Sequence, residues 1–208
     1  FYKNMSDLSE KILRISSDDK LRKNIAKRGK LKYMKYFNSD LVSKASELGD
    51  GFILVSDHQT DGKGRLERHW EAPPSRNLLF SVLLHPKWSM ERHQLVTPAL
   101  ALATVEVLER LGLRATVKWP NDVMVEKEGE KKIAGILAEY VDQENPVLVV
   151  GMGLNVGWPQ QKDEAPENST SLIACGIEKS RSELVIQILK NFEERLLEIS
   201  LEKGNVTF

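Results

Sequence analysis

At 208 residues and 41% hydrophobic content, the chain suits one globular domain with a substantial core. Thirty basic side chains against thirty acidic ones leave a formal net charge of zero, which argues against a general nucleic-acid binder. Cys175 is the sole cysteine, which excludes an intrachain disulfide and a cysteine-built zinc site and fits a reducing cytoplasm; no apolar run approaches the ~18 residues of a membrane span.

Charge is unevenly spread. Residues 1–36 hold eleven Lys/Arg against four Asp/Glu, a surplus of seven that the rest of the chain must offset. This stretch reads as a basic helical segment. Leu8, Ile12 and Ile15 share one face, and Leu21, Ile25 and Met34 mark a second helix. Such a face usually meets water, although an arm for an acidic partner has the same composition. The expected domain boundary follows it, with 1–36 as an appendage and 37–208 as the main domain.

Ala45 and Leu48 predict a short helix before the Gly-Asp-Gly turn at 49–51. Residues 52–55 form a compact buried strand that feeds a loop, and residues 78–84 form the strand that leaves it. The loop carries Gly62 and Gly64 together with Lys63, Arg65, Arg68 and His69, followed by Trp70 and a Pro73-Pro74 break. Glycine allows close backbone approach and interleaved cations attract phosphate, so the loop suits an anion or nucleotide. Its spacing matches neither a Walker A loop nor G-x-G-x-x-G.

Residues 91–111 predict a helix with Leu95, Leu102, Val105 and Leu108 at helical spacing and a kink or late start at Pro98. Short strands are expected at 115–119, 123–125, 133–141 and 147–156, with a charged connection over 126–132 and a turn at Asn145-Pro146. Hairpin follows hairpin, which predicts an α+β fold with a mixed, largely antiparallel sheet flanked by helices. Residues 155–179 read as irregular. A capping box at Ser180 to Glu183 opens a last helix with Leu184, Ile188, Phe192, Leu196 and Ile199 on one stripe.

Three further pieces carry chemistry. Lys118 and Asp122 flank a turn in Lys118-Trp119-Pro120-Asn121-Asp122; taken alone they would be a surface ion pair worth little. Lys132 stands at a strand mouth with Gly135 three residues on. Gly151 and Gly153 interrupt a strand just before Asn155, as glycine does where a ligand or another backbone comes close.

In this order and spacing, Gln59-Thr60-Asp61-Gly62-Lys63-Gly64-Arg65, Trp70-Glu71-Ala72-Pro73, Asn77-Leu78-Leu79-Phe80-Ser81, the Lys118 to Asp122 run, Lys132 to Gly135 and Gly151 to Asn155 resemble the catalytic domain of biotin–protein ligases. The resemblance spans about residues 45–200 and implies a fold like that of class II aminoacyl-tRNA synthetases. It also implies activation of biotin by ATP as biotinyl-5′-AMP, with transfer to a lysine of a biotin carboxyl carrier protein. By the same resemblance Lys132, Arg65 and Lys118 are catalytic. Gln59, Thr60, Gly62, Lys63, Gly64, Arg65, Lys132 and Gly135 bind biotin. Lys63, Arg65, Arg68, Trp70, Lys118, Asn121, Asp122 and Asn155 bind ATP, with Trp70 near the adenine. Asp122 is the metal ligand, for Mg2+ on the triphosphate. Arg65 is the principal grip of a lid over the adenylate. The resemblance points to a homodimer through a sheet edge at 147–155 and implies neither a membrane nor DNA as partner.

The chain departs from the family pattern in four places. No Ser-Thr-Asn stretch precedes Ala45; Asn38-Ser39-Asp40-Leu41-Val42-Ser43-Lys44 stands there, and Ser39 or Ser43 is the expected partial substitute in contacting biotin. Lys63 stands where an arginine is frequent. Leu66-Glu67-Arg68 replaces Arg-Gly-Arg. Neither a small C-terminal barrel nor an N-terminal winged helix is read in the sequence. Two other readings stay open: a non-catalytic binder of biotin or its adenylate, and a lipoate–protein ligase.

Overall fold

The structure is a computed structural model that describes residues 49–59, 62–64, 69–142, 147–160 and 168–201. The basic segment at 1–36, the helix expected around Ala45 and Leu48, and Thr60, Arg65, Arg68 and the Asn145-Pro146 turn lie outside them. Six strands are described: β1 (Phe52–Ser56), β2 (Leu78–Leu84), β3 (Ala115–Lys118), β4 (Asp122–Glu126), β5 (Glu130–Asp142) and β6 (Val147–Leu154). They form one sheet in the order β1-β2-β6-β5-β4-β3, and every neighbouring pair is antiparallel. The expected α+β fold is present.

Two helices, α1 (Val96–Arg110) and α2 (Arg181–Leu201), bring apolar side chains to the core on one face of this sheet. That face is built by alternation. Leu78, Phe80, Val82 and Leu84 of β2 join Leu148, Val150, Met152 and Leu154 of β6 and Val123 and Val125 of β4 in the core. The α2 stripe lies as its spacing predicts: Leu184, Ile188 and Phe192 are buried, and Leu196 and Ile199 pack against the core. At the far end Asn191 and Arg195 of α2 both bond Glu106 of α1.

Four expectations change. Pro98 does not kink α1. A 3-10 turn over Met90–Leu95 precedes it and the α-helix starts at Val96, which puts Pro98 in the first turn, where no internal N–H partner is lost. Leu102 does not face the core; it is 41% exposed, and the buried face runs through Val96, Ala99, Leu100, Ala103, Thr104, Val107 and Leu108. The charged connection is only the turn at 127–129, since Glu126 ends β4 and Glu130 opens β5. Residues 147–155 are not a sheet edge. β6 lies between β2 and β5, so its backbone groups are already paired on both sides, and the edges are β1 and β3.

Candidate active site

The face of the sheet opposite the helices carries most of the motif residues. One register row crosses it: Lys118 pairs with Asp122, Asp122 with Gly135, Gly135 with Gly153, and Gly153 with Leu79. Directly opposed residues in antiparallel strands present the same face. The row therefore starts with a cation and a carboxylate and continues into a floor made of two glycines.

Trp70 lies on that floor. A Cβ added at Gly135 would stand 2.9 Å from Trp70 Cζ3, and one added at Gly153 would overlap the indole at Cε2. Any side chain at either position would lift the ring, so here glycine serves close approach.

Lys132 reaches the same place through a backbone irregularity. Three residues apart on a regular strand, Lys132 and Gly135 would face opposite sides of the sheet. A β-bulge prevents this: Val123 pairs with Ala134 while Met124 pairs with Lys132, so Ile133 is extra. Ile133 and Ala134 both turn into the core, and Lys132 emerges on the glycine side. Its Nζ lies 2.7 Å from Asp122 Oδ1 and 5.5 Å from the centroid of the Trp70 ring. The bulge is held from outside the sheet. Lys132 N–H donates to the Asn168 carbonyl at 2.7 Å, and Thr170 N–H donates to the Lys132 carbonyl at 2.9 Å.

Asp122 Oδ1 is buried and lies against the Lys132 ammonium. The carboxylate is an oxygen donor of the kind that suits one hard cation. Among the described residues no group of three or more His, Cys, Asp or Glu side chains forms a cage. This fits Mg2+ only as an ion that arrives on phosphates, with one carboxylate from the protein.

The loop returns over the site. Trp70 N–H donates to the Gly62 carbonyl at 2.7 Å, and Lys63 bridges His69 in antiparallel fashion. A cavity of about 400 Å3 lies under it, lined by residues that include Gln59, Gly62, Trp70 and Trp158. Lys63 is exposed and Gly64 half-buried. Lys118 is exposed at the end of β3.

Two expected ligand-binding residues sit elsewhere. Asn121 donates from Nδ2 to the Ile136 carbonyl at 3.2 Å and lines a second cavity, of about 440 Å3, beside Trp119, His93 and Tyr140. Asn155 is buried; its Oδ1 accepts from Asn77 at 3.1 Å and its Nδ2 donates to the Thr170 carbonyl at 2.9 Å. Sequence reading missed Asn77 as a strut and Trp158 as a cavity wall. It also left 168–172 as plain loop, because its partners lie far away in the chain.

These motif positions, brought onto one sheet face, agree with comparison to known proteins. The model of the biotin/lipoate A/B protein ligase family matches residues 34–156, more than half of the chain. The chain belongs to this family. Within it, the bifunctional ligase/repressor BirA of Bacillus spizizenii is 33% identical over 154 residues, 70% of this chain and 46% of the relative. The biotin–[acetyl-CoA-carboxylase] ligase of Mycobacterium tuberculosis is 32% identical over 169 residues, 77% of this chain and 60% of the relative. The chain thus spans about half the length of the curated relatives it matches. The biotin protein ligase of Aquifex aeolicus in complex with biotin and ATP is a structural match of TM-score 0.63 at 34% identity, over 74% of this chain and 63% of that one. The fold is that of the biotin protein ligases. No described helix is long and apolar enough to cross a membrane.

Proposed function

We propose that this chain activates biotin with ATP as biotinyl-5′-AMP and transfers the biotinyl group to a lysine of a biotin carboxyl carrier protein. The observation that carries the reading is the convergence of Lys132, Asp122 and Trp70 over the Gly135–Gly153 floor. Relatives named as biotin ligases support biotin over lipoate as the acid.

The first step joins two anions. A biotin carboxylate oxygen bonds the α-phosphorus as the bond to the bridging oxygen breaks and pyrophosphate leaves. Lys132 offsets the charge that gathers there, in a partly covered site where a fixed cation acts more strongly than in water. Asp122 holds the ammonium in place. In the second step a lysine amine bonds the acyl carbon, loses a proton, and AMP leaves with the bonding pair.

In this reading Lys63, Arg65, Arg68 and Lys118 meet phosphate, Trp70 lies by the adenine, and Gln59, Thr60, Gly62, Gly64 and Gly135 line the biotin side. Asn121 and Asn155 act on the nucleotide through the backbone they fix. Mg2+ on the phosphates would neutralise part of their charge, with the Asp122 carboxylate as its protein ligand. Residues 37–208 form the catalytic unit, a division supported by a family match that begins at residue 34. A cytoplasmic location is supported by the single cysteine, Cys175. A homodimer, if formed through a sheet edge, would use β1 or β3.

The test is biotin-dependent release of pyrophosphate from ATP by the full chain. Release with biotin and none with lipoate is expected. No release at millimolar biotin would exclude the reading, and release with lipoate alone would reassign the acid.

A further inference from the structure

The cavity under the loop has a second aromatic wall outside every motif that marks the site. Of the four tryptophans, Trp88 packs against the core and Trp119 is exposed. Trp70 and Trp158 belong to neither described hydrophobic cluster, and both line this cavity.

The backbone that presents Trp158 is clamped at three successive residues. Gly157 N–H donates to the Arg76 carbonyl at 2.9 Å, Trp158 N–H donates to Asn77 Oδ1 at 3.1 Å, and the Pro159 carbonyl accepts from Ser171 Oγ. A Cβ at Gly157 would come within 2.9 Å of that Arg76 oxygen, so the approach needs glycine. Asn77 is itself anchored, 1% exposed and bonded to Asn155. A half-buried indole held this firmly, yet contributing nothing to the core, is built for a ligand.

The polar groups of the cavity narrow the ligand. Beside Gln59, which the ligase reading gives to biotin, the cavity holds His58 Nδ1, buried without a hydrogen-bond partner. Two indoles and an unpaired imidazole nitrogen lining one cavity suit a flat heterocycle that has π faces and edge donors and acceptors. Trp70 also lies within cation–π reach of Lys132, which puts this cavity next to the reacting centre. We infer that Trp158 is a specificity-determining residue of the nucleotide site, its indole forming with Trp70 the walls for the purine base. This rests on the proposed ligase reading.

The experiment compares wild type with Trp158→Ala, Trp158→Leu and Trp158→Phe in the full chain. It reads calorimetric binding of Mg–ATP, KM for ATP and for biotin in pyrophosphate release, and thermal unfolding. Loss of base stacking is expected to weaken Mg–ATP binding and raise KM for ATP about tenfold in the Ala and Leu variants. KM for biotin should stay within about twofold, and Trp158→Phe should stay near wild type. Leu keeps apolar bulk without a π face, so it decides the matter if the Ala variant unfolds. Unchanged ATP binding in a folded Leu variant, or a rise confined to biotin, would overturn the inference and leave the ligase reading standing. A wild type that binds ATP through Trp158 but releases no pyrophosphate would do the reverse. A wild type that binds no ATP would overturn both.

Discussion

Lys132 and Asp122 meet at 2.7 Å although the strand register opposes Asp122 to Gly135 and Lys132 to Met124. The contact is diagonal, made across a bulge, and it leaves the ammonium between a carboxylate and the Trp70 face. Lys132→Ala is expected to slow biotin-dependent pyrophosphate release by about a hundredfold or more. Both side chains are partly solvated, so the lost ion pair should cost no more than about 1 kcal/mol of stability. Steady-state rates together with urea unfolding check this, and an unchanged rate would remove Lys132 from the mechanism.

The glycine floor gives a paired test. Gly153→Ala places a methyl group inside the Trp70 indole, whereas Gly151→Ala meets Ser81 Oγ only at an ordinary 3.4 Å. The first should displace Trp70 and lower activity at least tenfold, and the second should be nearly neutral, because overpacking forces movement only where nothing can give. Equal effects on activity would argue against the floor.

Asn77 supports the far end of the site. Its Oδ1 accepts from Val156 N–H and Trp158 N–H, both at 3.1 Å, and its Nδ2 bonds Asn155. Asn77→Ala strands two backbone donors in a buried place and should cost about 2–4 kcal/mol in chemical unfolding. A loss below about 0.5 kcal/mol would mean that water replaces the amide easily.

Glu193 on α2 allows a pH prediction away from the site. Although Glu193 is exposed, partial desolvation first, and the neighbouring Glu194 second, raise its carboxyl above the ordinary 4.5. The folded state then holds this proton more tightly than the unfolded one. The penalty is absent below the unfolded value, grows as pH rises through the raised value, and is fully present at neutrality. Glu193→Gln should raise the unfolding temperature at neutral pH, and the gain should vanish in acid. A gain independent of pH would point to packing instead.

Much of the fold was legible because its signals are local. The stripe from Leu184 to Phe192 has a clean helical period, and the strands beside Lys118 and Lys132 are bounded by turns. α1 was harder: its sequence is apolar nearly all round, and Ala99 and Ala103 give less signal than Leu102, so spacing found Val105 and Leu108 but added the exposed Leu102. The position of β6 inside the sheet was not readable, since strand order depends on pairings between distant segments. For the same reason the bonds from 168–170 to Lys132, and from Asn77 to Asn155, left no trace in composition or period.

The extra residue at Ile133 bears on how this stretch can vary. An odd interval separates Lys132 from Gly135, and the bulge alone turns that interval into a shared facing. Chain length here therefore works like a reading frame. With the bulge kept, one residue more between Lys132 and Gly135 would swing the lysine to the wrong side. The turn at 127–129, on the far side of the lysine, is an exposed hairpin end that can absorb such a change.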